Sequence, residues 1–317
     1  MSSVKVDGKY IWGEISESEI VRQYDRKGRV VACVQVEDMF RPLENVAAGQ
    51  IPDLRVTLKL IRDMHMRKDD ILICAYVKAG THWVWEIVNM LLRGAAEYDK
   101  TIKEENMIDF HFPSEFSNLK SPRVLNTHFT WRHLPSEIQK KKCKIIYLQR
   151  NPKDTAVSYF HHQRNLGIYG TEGDFGDFLD LYIKGRGPGY KCWFDYTMEW
   201  QSFIEDQTDN GLPILTVMYE DLKREPVTQV QKLADYLELK REPQLITEIV
   251  EKCDFKCMQQ AILAKNEAHP SISNYHTLYR KGEIGDWKNW FTVAQSEEFD
   301  ELMRKKMEEC KTTFVYE

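Results

Sequence analysis

The stretch Ile71-Leu72-Ile73-Cys74-Ala75-Tyr76-Val77-Lys78-Ala79-Gly80-Thr81-His82-Trp83-Val84-Trp85-Glu86-Ile87-Val88-Asn89-Met90-Leu91-Leu92 decides the fold. Its first six residues are apolar without alternation, the pattern of a strand covered on both faces in a parallel sheet. Val77 to Thr81 form a short loop. From His82 onward the apolar residues recur at helical spacing. A second unit of this kind runs from Lys144-Ile145-Ile146-Tyr147-Leu148-Gln149 through Arg150 and Asn151 into a helix opened by Pro152, where a missing N–H costs nothing. Arg123 to Asn126 predicts a short strand ending at Thr127 and His128. Ile214 to Tyr219 predicts another, with Glu220 and Asp221 opening the next helix. Strands alternating with helices give an α/β class: a single domain with a central parallel sheet flanked by helices and a P-loop-like strand-loop-helix.

Working outward, residues 1–35 are charged and weakly patterned and are expected to be an N-terminal extension, with one domain over 36–317. Lys and Arg total 44 against 49 Asp and Glu, so no broad polyanion-binding surface is expected and nucleic acid is excluded as a partner. The seven cysteines are dispersed and odd in number, which fits a reducing compartment. Cys253 and Cys257 lack a second Cys or His pair at matching spacing, so no metal is expected. No apolar run is long enough to span a bilayer or to act as a secretory leader, so the expected location is cytoplasmic, with no membrane partner.

The loop before the first helix carries the first chemistry. Gly80 and Thr81 stand at a helix N-terminus, where backbone N–H groups and the helix dipole favour an anion, and Lys78 just precedes them. An ordinary strand-to-helix turn with a solvated lysine reads the same way. The lysine precedes the glycine, so this is not a Walker A loop, which disfavours a nucleotide kinase. Arg150 leaves the second strand, and Ser158 lies two turns into the helix after it. Ligands of parallel sheets collect at the carboxyl ends of the strands, so two basic strand ends suit a doubly phosphorylated ligand. Arg280-Lys281-Gly282 lies in Lys265 to Asp286, an aperiodic segment read as a long mobile loop. His128 is a structural histidine or, beside a reacting hydroxyl, a general base.

At these residues the chain resembles the cytosolic sulfotransferase family, from about Lys68 to Phe314. Tyr76 to Trp83 is similar to the family's Y-P-K-S-G-T-T-W loop for the 5′-phosphosulfate. Gln149 to Ser158 is similar to its R-N-x-K-D-x-A-V-S block, and Val217-Met218-Tyr219-Glu220-Asp221 to its Y-E-D segment. Arg280-Lys281-Gly282 with Gly285-Asp286-Trp287-Lys288 resembles R-K-G-x-x-G-D-W-K. Four ordered blocks are far more specific than any one of them. The resemblance implies transfer of a sulfuryl group from 3′-phosphoadenosine 5′-phosphosulfate (PAPS, leaving PAP) to a hydroxyl or amine of a small-molecule acceptor, without a metal. It implies His128 as general base and Lys78 at the phosphosulfate bridge. Ala79, Gly80, Thr81 and His82 would complete the phosphosulfate loop. Arg150, Ser158, Arg280, Lys281 and Gly282 would hold the 3′-phosphate, and Trp83, Tyr219, Phe255, Cys253 and Met258 would surround the adenine.

The departures are informative. Val77 replaces the loop's proline, Ala79 its serine and His82 a threonine, while Cys253-Asp254 replaces a small hydroxyl pair. Asn126 stands where the family has a lysine two residues before the catalytic histidine, a group implied to touch the sulfuryl oxygens. An amide is a weaker donor to an anion than an ammonium is. His82 is the expected substitute. A sulfotransferase-like nucleotide binder with diverted chemistry, such as sulfation-driven dehydration, is the alternative. The acceptor pocket is expected around Phe110 to Phe116, Phe129 to Trp131 and Leu166 to Tyr169, with Asp109, His111 and His133 as polar candidates. Lys288, Thr292, Val293 and Glu297 match the family's K-x-x-x-T-V-x-x-x-E motif and imply a weak homodimer.

Overall fold

A computed structural model describes residues 5–6, 9–10, 12–47, 49, 52–166, 173–185, 189–268 and 278–317. Its centre is a four-stranded parallel sheet of β6 (Ile71–Ala75), β7 (Val124–Thr127), β8 (Lys144–Gln149) and β9 (Ile214–Met218), in the spatial order β7-β6-β8-β9. Every neighbouring pair is parallel. The four expected strands are therefore present within a residue or two of their expected ends.

Both faces of the sheet are covered. Along β6 the side chains alternate between two cores, Leu72 and Cys74 joining one and Ile71, Ile73 and Ala75 the other. That is why the sequence reads as an unbroken apolar run: neither side of the strand meets water. Burying each Leu or Ile in such a place contributes about 1.5–3 kcal/mol.

The helices in chain order are α1 (Leu43–Ala47), α2 (Leu54–Arg62), α3 (Thr81–Arg93), α4 (Glu137–Lys141), α5 (Pro152–Leu166), α6 (Phe175–Ile183), α7 (Trp193–Asn210), α8 (Tyr219–Arg224), α9 (Pro226–Tyr236), α10 (Pro243–Lys252), α11 (Phe255–Ala268) and α12 (Val293–Lys306). Apolar residues of α3, α9 and α10 cover one face of the sheet. Those of α2, α5, α6, α7 and α12 cover the other. From β6 the chain passes through α3 to β7 on one side, then through α4 to β8 on the opposite side. Loops leaving the carboxyl ends of neighbouring strands thus part in opposite directions beside β6, which opens a crevice there.

The N-terminal residues add two small sheets. One pairs β1 (Lys5–Val6) with β2 (Lys9–Tyr10). The other is antiparallel, with β3 (Ile20–Tyr24), β4 (Val30–Val36) and β5 (Met39–Pro42) in that order. Strand β4 runs through the expected division at residues 35 and 36, and Cys33 and Val34 are fully buried. Its apolar run needs cover, and Val34 and Val36 find it in the core that also holds Phe129 and Tyr190. Charges fasten the β3-β4 turn to α6: Arg26 and Lys27 meet Asp174, and Arg29 meets Asp177.

Helix α11 runs to Ala268, so Lys265 to Ala268 are helical where a loop is expected. Residues 269–277 of that segment lie outside the described residues, as do Gly167 to Tyr169 of the expected acceptor region.

Candidate active site

The expected anion loop stands at the carboxyl end of β6. Lys78 adopts φ 69°, a left-handed conformation that costs a non-glycine residue energy and that folded structures tolerate mainly where a side chain must be aimed. Gly80 is the N-cap of α3 at φ 109°. A Cβ there would stand 3.0 Å from Tyr219 Cδ2, so both the backbone and the space require glycine. Val77 and Ala79 are buried, and neither brings a polar group to the loop. Burial pushes the Lys78 ammonium down to about 7, helped by the positive charges of Arg150 and Lys103. Trp83, one turn into α3, packs edge-on against Tyr219 with ring centroids 5.5 Å apart.

The second block lies beside it at the end of β8. Arg150 sits 4.1 Å above the Tyr219 ring and donates to the carbonyls of Lys78 and Glu283, each at 3.2 Å. Its Nε is buried with no hydrogen-bond partner among the described residues. Buried polar groups without partners are uncommon enough to mark a place for a ligand.

Asn151 caps α5 by accepting from the Asp154 N–H at 2.8 Å, and its own N–H donates to Glu220 at 2.9 Å. Asp154 in turn accepts from the N–H groups of Gly285 and Trp287, at 2.8 and 2.9 Å. Through that carboxylate the fourth block is tied to the second across 131 residues of sequence.

Arg280 and Lys281 both pair with Asp286. Gly282, at φ 69°, lies so close to Phe255 that a Cβ would fall 2.3 Å from that ring. Phe255 stands 6.2 Å from the Tyr279 ring. The structure therefore brings Lys78, Gly80, Thr81, Trp83, Arg150, Tyr219, Phe255, Arg280, Lys281 and Gly282 to one end of the sheet.

Ser158 is half-buried two turns into α5. Cys253 and Met258 differ from their expected role. Their side chains are 1% and 3% exposed and belong to the core, with Cys253 Sγ 3.7 Å from Met90 Sδ. A thiol and a thioether are apolar enough to be drawn under the site and not into it.

His128 follows β7, with 9% of its surface exposed. Its Nδ1–H donates to the Ala75 carbonyl at 2.8 Å, because a carbonyl can only accept. Nε2 is then the acceptor nitrogen. Burial, helped by Lys103, holds the ring well below the usual histidine range, so it is neutral at pH 7. Asp109 fixes the backbone here, accepting from the His128 N–H at 3.1 Å and from Tyr190 Oη at 2.7 Å. Burial raises the Asp109 carboxyl. The Tyr190 ring meets the imidazole edge-on at 5.4 Å.

Asn126 is fully buried, and its amide is engaged at both ends. Oδ1 accepts from Lys103 Nζ at 3.0 Å, and Nδ2 donates to the Lys103 carbonyl at 2.8 Å. Asn126, expected among the catalytic residues, is thus clamped at both ends by Lys103. His82 is engaged as well, with Nε2 2.9 Å from Glu104 Oε1, and burial lowers its ring. Burial alone would raise Glu104, yet Lys103 and His82 hold its carboxyl well below the ordinary range.

Of the polar acceptor candidates, Asp109 serves the His128 backbone, and His133 is buried against Asp38 at 2.8 Å. His111 donates to the Glu104 carbonyl at 2.9 Å. Phe116 and Phe129 are core residues, whereas Trp131 is 37% exposed and stacks on Phe203.

Sequence reasoning missed Lys103 and Glu104, which sit in a KEEN run resembling a solvated turn. It also missed His162, which is acted on by the charges of Lys78, His82 and His128. A signal for His162 existed: it lies four residues after Ser158, on the same face of α5. Among the described residues no three His, Cys, Asp or Glu gather closely enough to hold a metal ion.

The family model described as the sulfotransferase domain matches residues 68–311. Human sulfotransferase 1C2 is 33% identical over 273 residues, covering 81% of this chain and 89% of that protein. Sulfotransferase 1B1 of Canis lupus familiaris is 36% identical over 262 residues, covering 78% and 86%. Among solved structures, mouse sulfotransferase SULT7A1 complexed with PAP superposes with a TM-score of 0.69 at 29% identity, covering 87% of this chain and 95% of that one.

Proposed function

The chain belongs to the sulfotransferase domain family and is an enzyme of sulfuryl transfer from PAPS, and on that premise we propose that it acts on a hydroxyl or amine of a small acceptor with His128 as general base. The observation that carries the base assignment is the His128 Nδ1–H bond to Ala75, which leaves a neutral ring with its lone pair on Nε2. A general base must be unprotonated and positioned before the proton arrives, and both conditions are met.

The chain's own groups fit the nucleotide. The unpaired Nε of Arg150, the nearby cations Arg280 and Lys281, and the Ser158 hydroxyl suit a 3′-phosphate. The rings of Trp83 and Phe255 suit an adenine between apolar faces. The α3 N-terminus with Gly80, Thr81 and the His82 backbone suits the phosphosulfate. Bound there, PAPS supplies the sulfuryl group, whose bond to the bridging oxygen breaks as the acceptor atom bonds to sulfur. His128 Nε2 takes the acceptor's proton. Lys78, charged when it faces an anion, meets the negative charge that gathers on the departing phosphate, and such a contact strengthens toward the transition state.

We take the catalytic domain to cover residues 20–317, since every site residue lies there and β3 and β4 share one sheet with β5 and bury Cys33 and Val34. A dimer through Lys288, Thr292, Val293 and Glu297 is part of the same reading, supported by the 76% exposure of Val293 on α12. All seven cysteines are free thiols, and no helix among the described residues is long and apolar enough to cross a membrane. We infer a cytoplasmic location, which seven free thiols suit, and cell fractionation finding the protein in an oxidising compartment would contradict it.

Calorimetry with PAP and AMP tests the nucleotide reading. PAP should bind at least tenfold more tightly, because the Arg150 and Arg280 cations serve a phosphate that AMP lacks. Equal affinities would overturn the reading.

A further inference from the structure

Lys103 opens the short 3-10 turn Lys103–Asn106, and the bridge between Met107 and Asn126 lays this segment along the edge of β7. Its ammonium is directed inward. Only 3% of the side chain is exposed, and Nζ lies 3.0 Å from Asn126 Oδ1 and 3.6 Å from Met107 Sδ. A lysine head this deep costs several kcal/mol unless it is paired and hydrogen-bonded.

Its only carboxylate partner among the described residues is Glu104, at 3.5 Å, and Glu104 lies closer to His82, at 2.9 Å. A neutral amide and a thioether make up the rest of its shell. Lys78 shares this space, since the charges of Arg150 and Lys103 both act on its ammonium. Lys103 thus shares its one carboxylate with His82, and an anionic group would complete the shell of its ammonium.

The position of the ammonium says which anion. Asn126, which holds the ammonium, precedes His128 by two residues, so Lys103 is anchored on the segment that carries the imidazole. Its charge acts on His128, on His82 and on Lys78 of the phosphosulfate loop. Arg150 and Arg280 belong instead to the 3′-phosphate subsite of the reading above.

We propose that Lys103 is a catalytic residue of this enzyme: its ammonium, held by the Asn126 amide, donates to the sulfuryl oxygens during transfer. The proposal rests on the sulfuryl-transfer reading above. It replaces His82 as the substitute for a lysine at position 126, because the His82 ring is already bonded to Glu104. Asn126 is then a positioning residue. Two ammonium groups cannot share the space beside the base, so an amide at 126 is what a lysine at 103 requires.

The sulfuryl group is what distinguishes PAPS from PAP, and this gives a test that needs no knowledge of the acceptor. Calorimetry with both nucleotides is run on the natural protein, on Lys103→Met and on Lys103→Met with Asn126→Lys. Lys103→Met should weaken PAPS about tenfold or more while changing PAP less than twofold, and unchanged PAP binding also reports a folded site. The double variant, which returns an ammonium from the strand side, should recover most of the lost PAPS affinity. It should also recover the slow release of labelled sulfate when water is the acceptor.

Retention of the PAPS preference in Lys103→Met, or equal loss for both nucleotides with no recovery in the double variant, overturns the proposal. Failure of the underlying reading is a separate result. It appears in the natural protein alone, as PAP binding no tighter than AMP.

Discussion

Nucleotide affinity should fall as pH rises through neutrality, because Lys78 is charged only when protonated and the free protein holds its ammonium at about 7. An anion beside it restores the preference for the charged form, and by linkage the bound nucleotide and the proton stabilise each other. If the bound lysine regains an ordinary affinity for its proton, PAP binding weakens about 50-fold between pH 7 and 9, its slope approaching tenfold, or 1.36 kcal/mol, per unit.

The direction follows from which state holds the proton. At pH 8 free Lys78 is about one-tenth protonated and the bound form nearly fully so, and binding should take up roughly 0.9 proton. The phosphates of PAP lose their last protons near pH 6, which acts in the opposite direction, so the useful window runs from 7 to 9. Arginines stay charged throughout and provide a level background.

Isothermal titration of PAP at constant ionic strength, repeated in buffers of different ionisation enthalpy, gives both affinity and proton uptake. Lys78→Met should bind PAP more weakly at pH 7 and show neither the slope nor the uptake. A flat affinity between pH 7 and 9 in the natural protein, or the same slope in Lys78→Met, would refute this account of the loop.

His128→Ala should lower turnover with labelled PAPS at least 100-fold while leaving PAP affinity within about twofold, since the proposed base role puts Nε2 to work on the acceptor and not the nucleotide; retained turnover would remove that role. The dimer expected through Lys288, Thr292, Val293 and Glu297 should be weak, because so short a segment buries little area, and Val293→Glu should abolish it. Sedimentation showing only monomer for the natural protein at high concentration would remove that claim.

The sequence by itself determined the sheet and the helices next to it. A strand covered on both faces must be apolar throughout, so Ile71 to Ala75 and Lys144 to Gln149 announce parallel strands without any knowledge of their neighbours. The glycine and cations at their carboxyl ends are local features that spacing alone reveals.

Tertiary structure decided the charge pattern at the reacting centre. Lys103 and Asn126 are 23 residues apart, and nothing in a KEEN run separates a buried ammonium from a solvated one. The bridge between Met107 and β7 turns that lysine inward. The fate of the Val30 to Val34 run was equally nonlocal, because β4 needed the antiparallel partners β3 and β5 and a core shared with α5 and α7. Local pattern records which side chains avoid water. Which charges face one another depends on contacts between distant segments, and those exist only once the chain has folded.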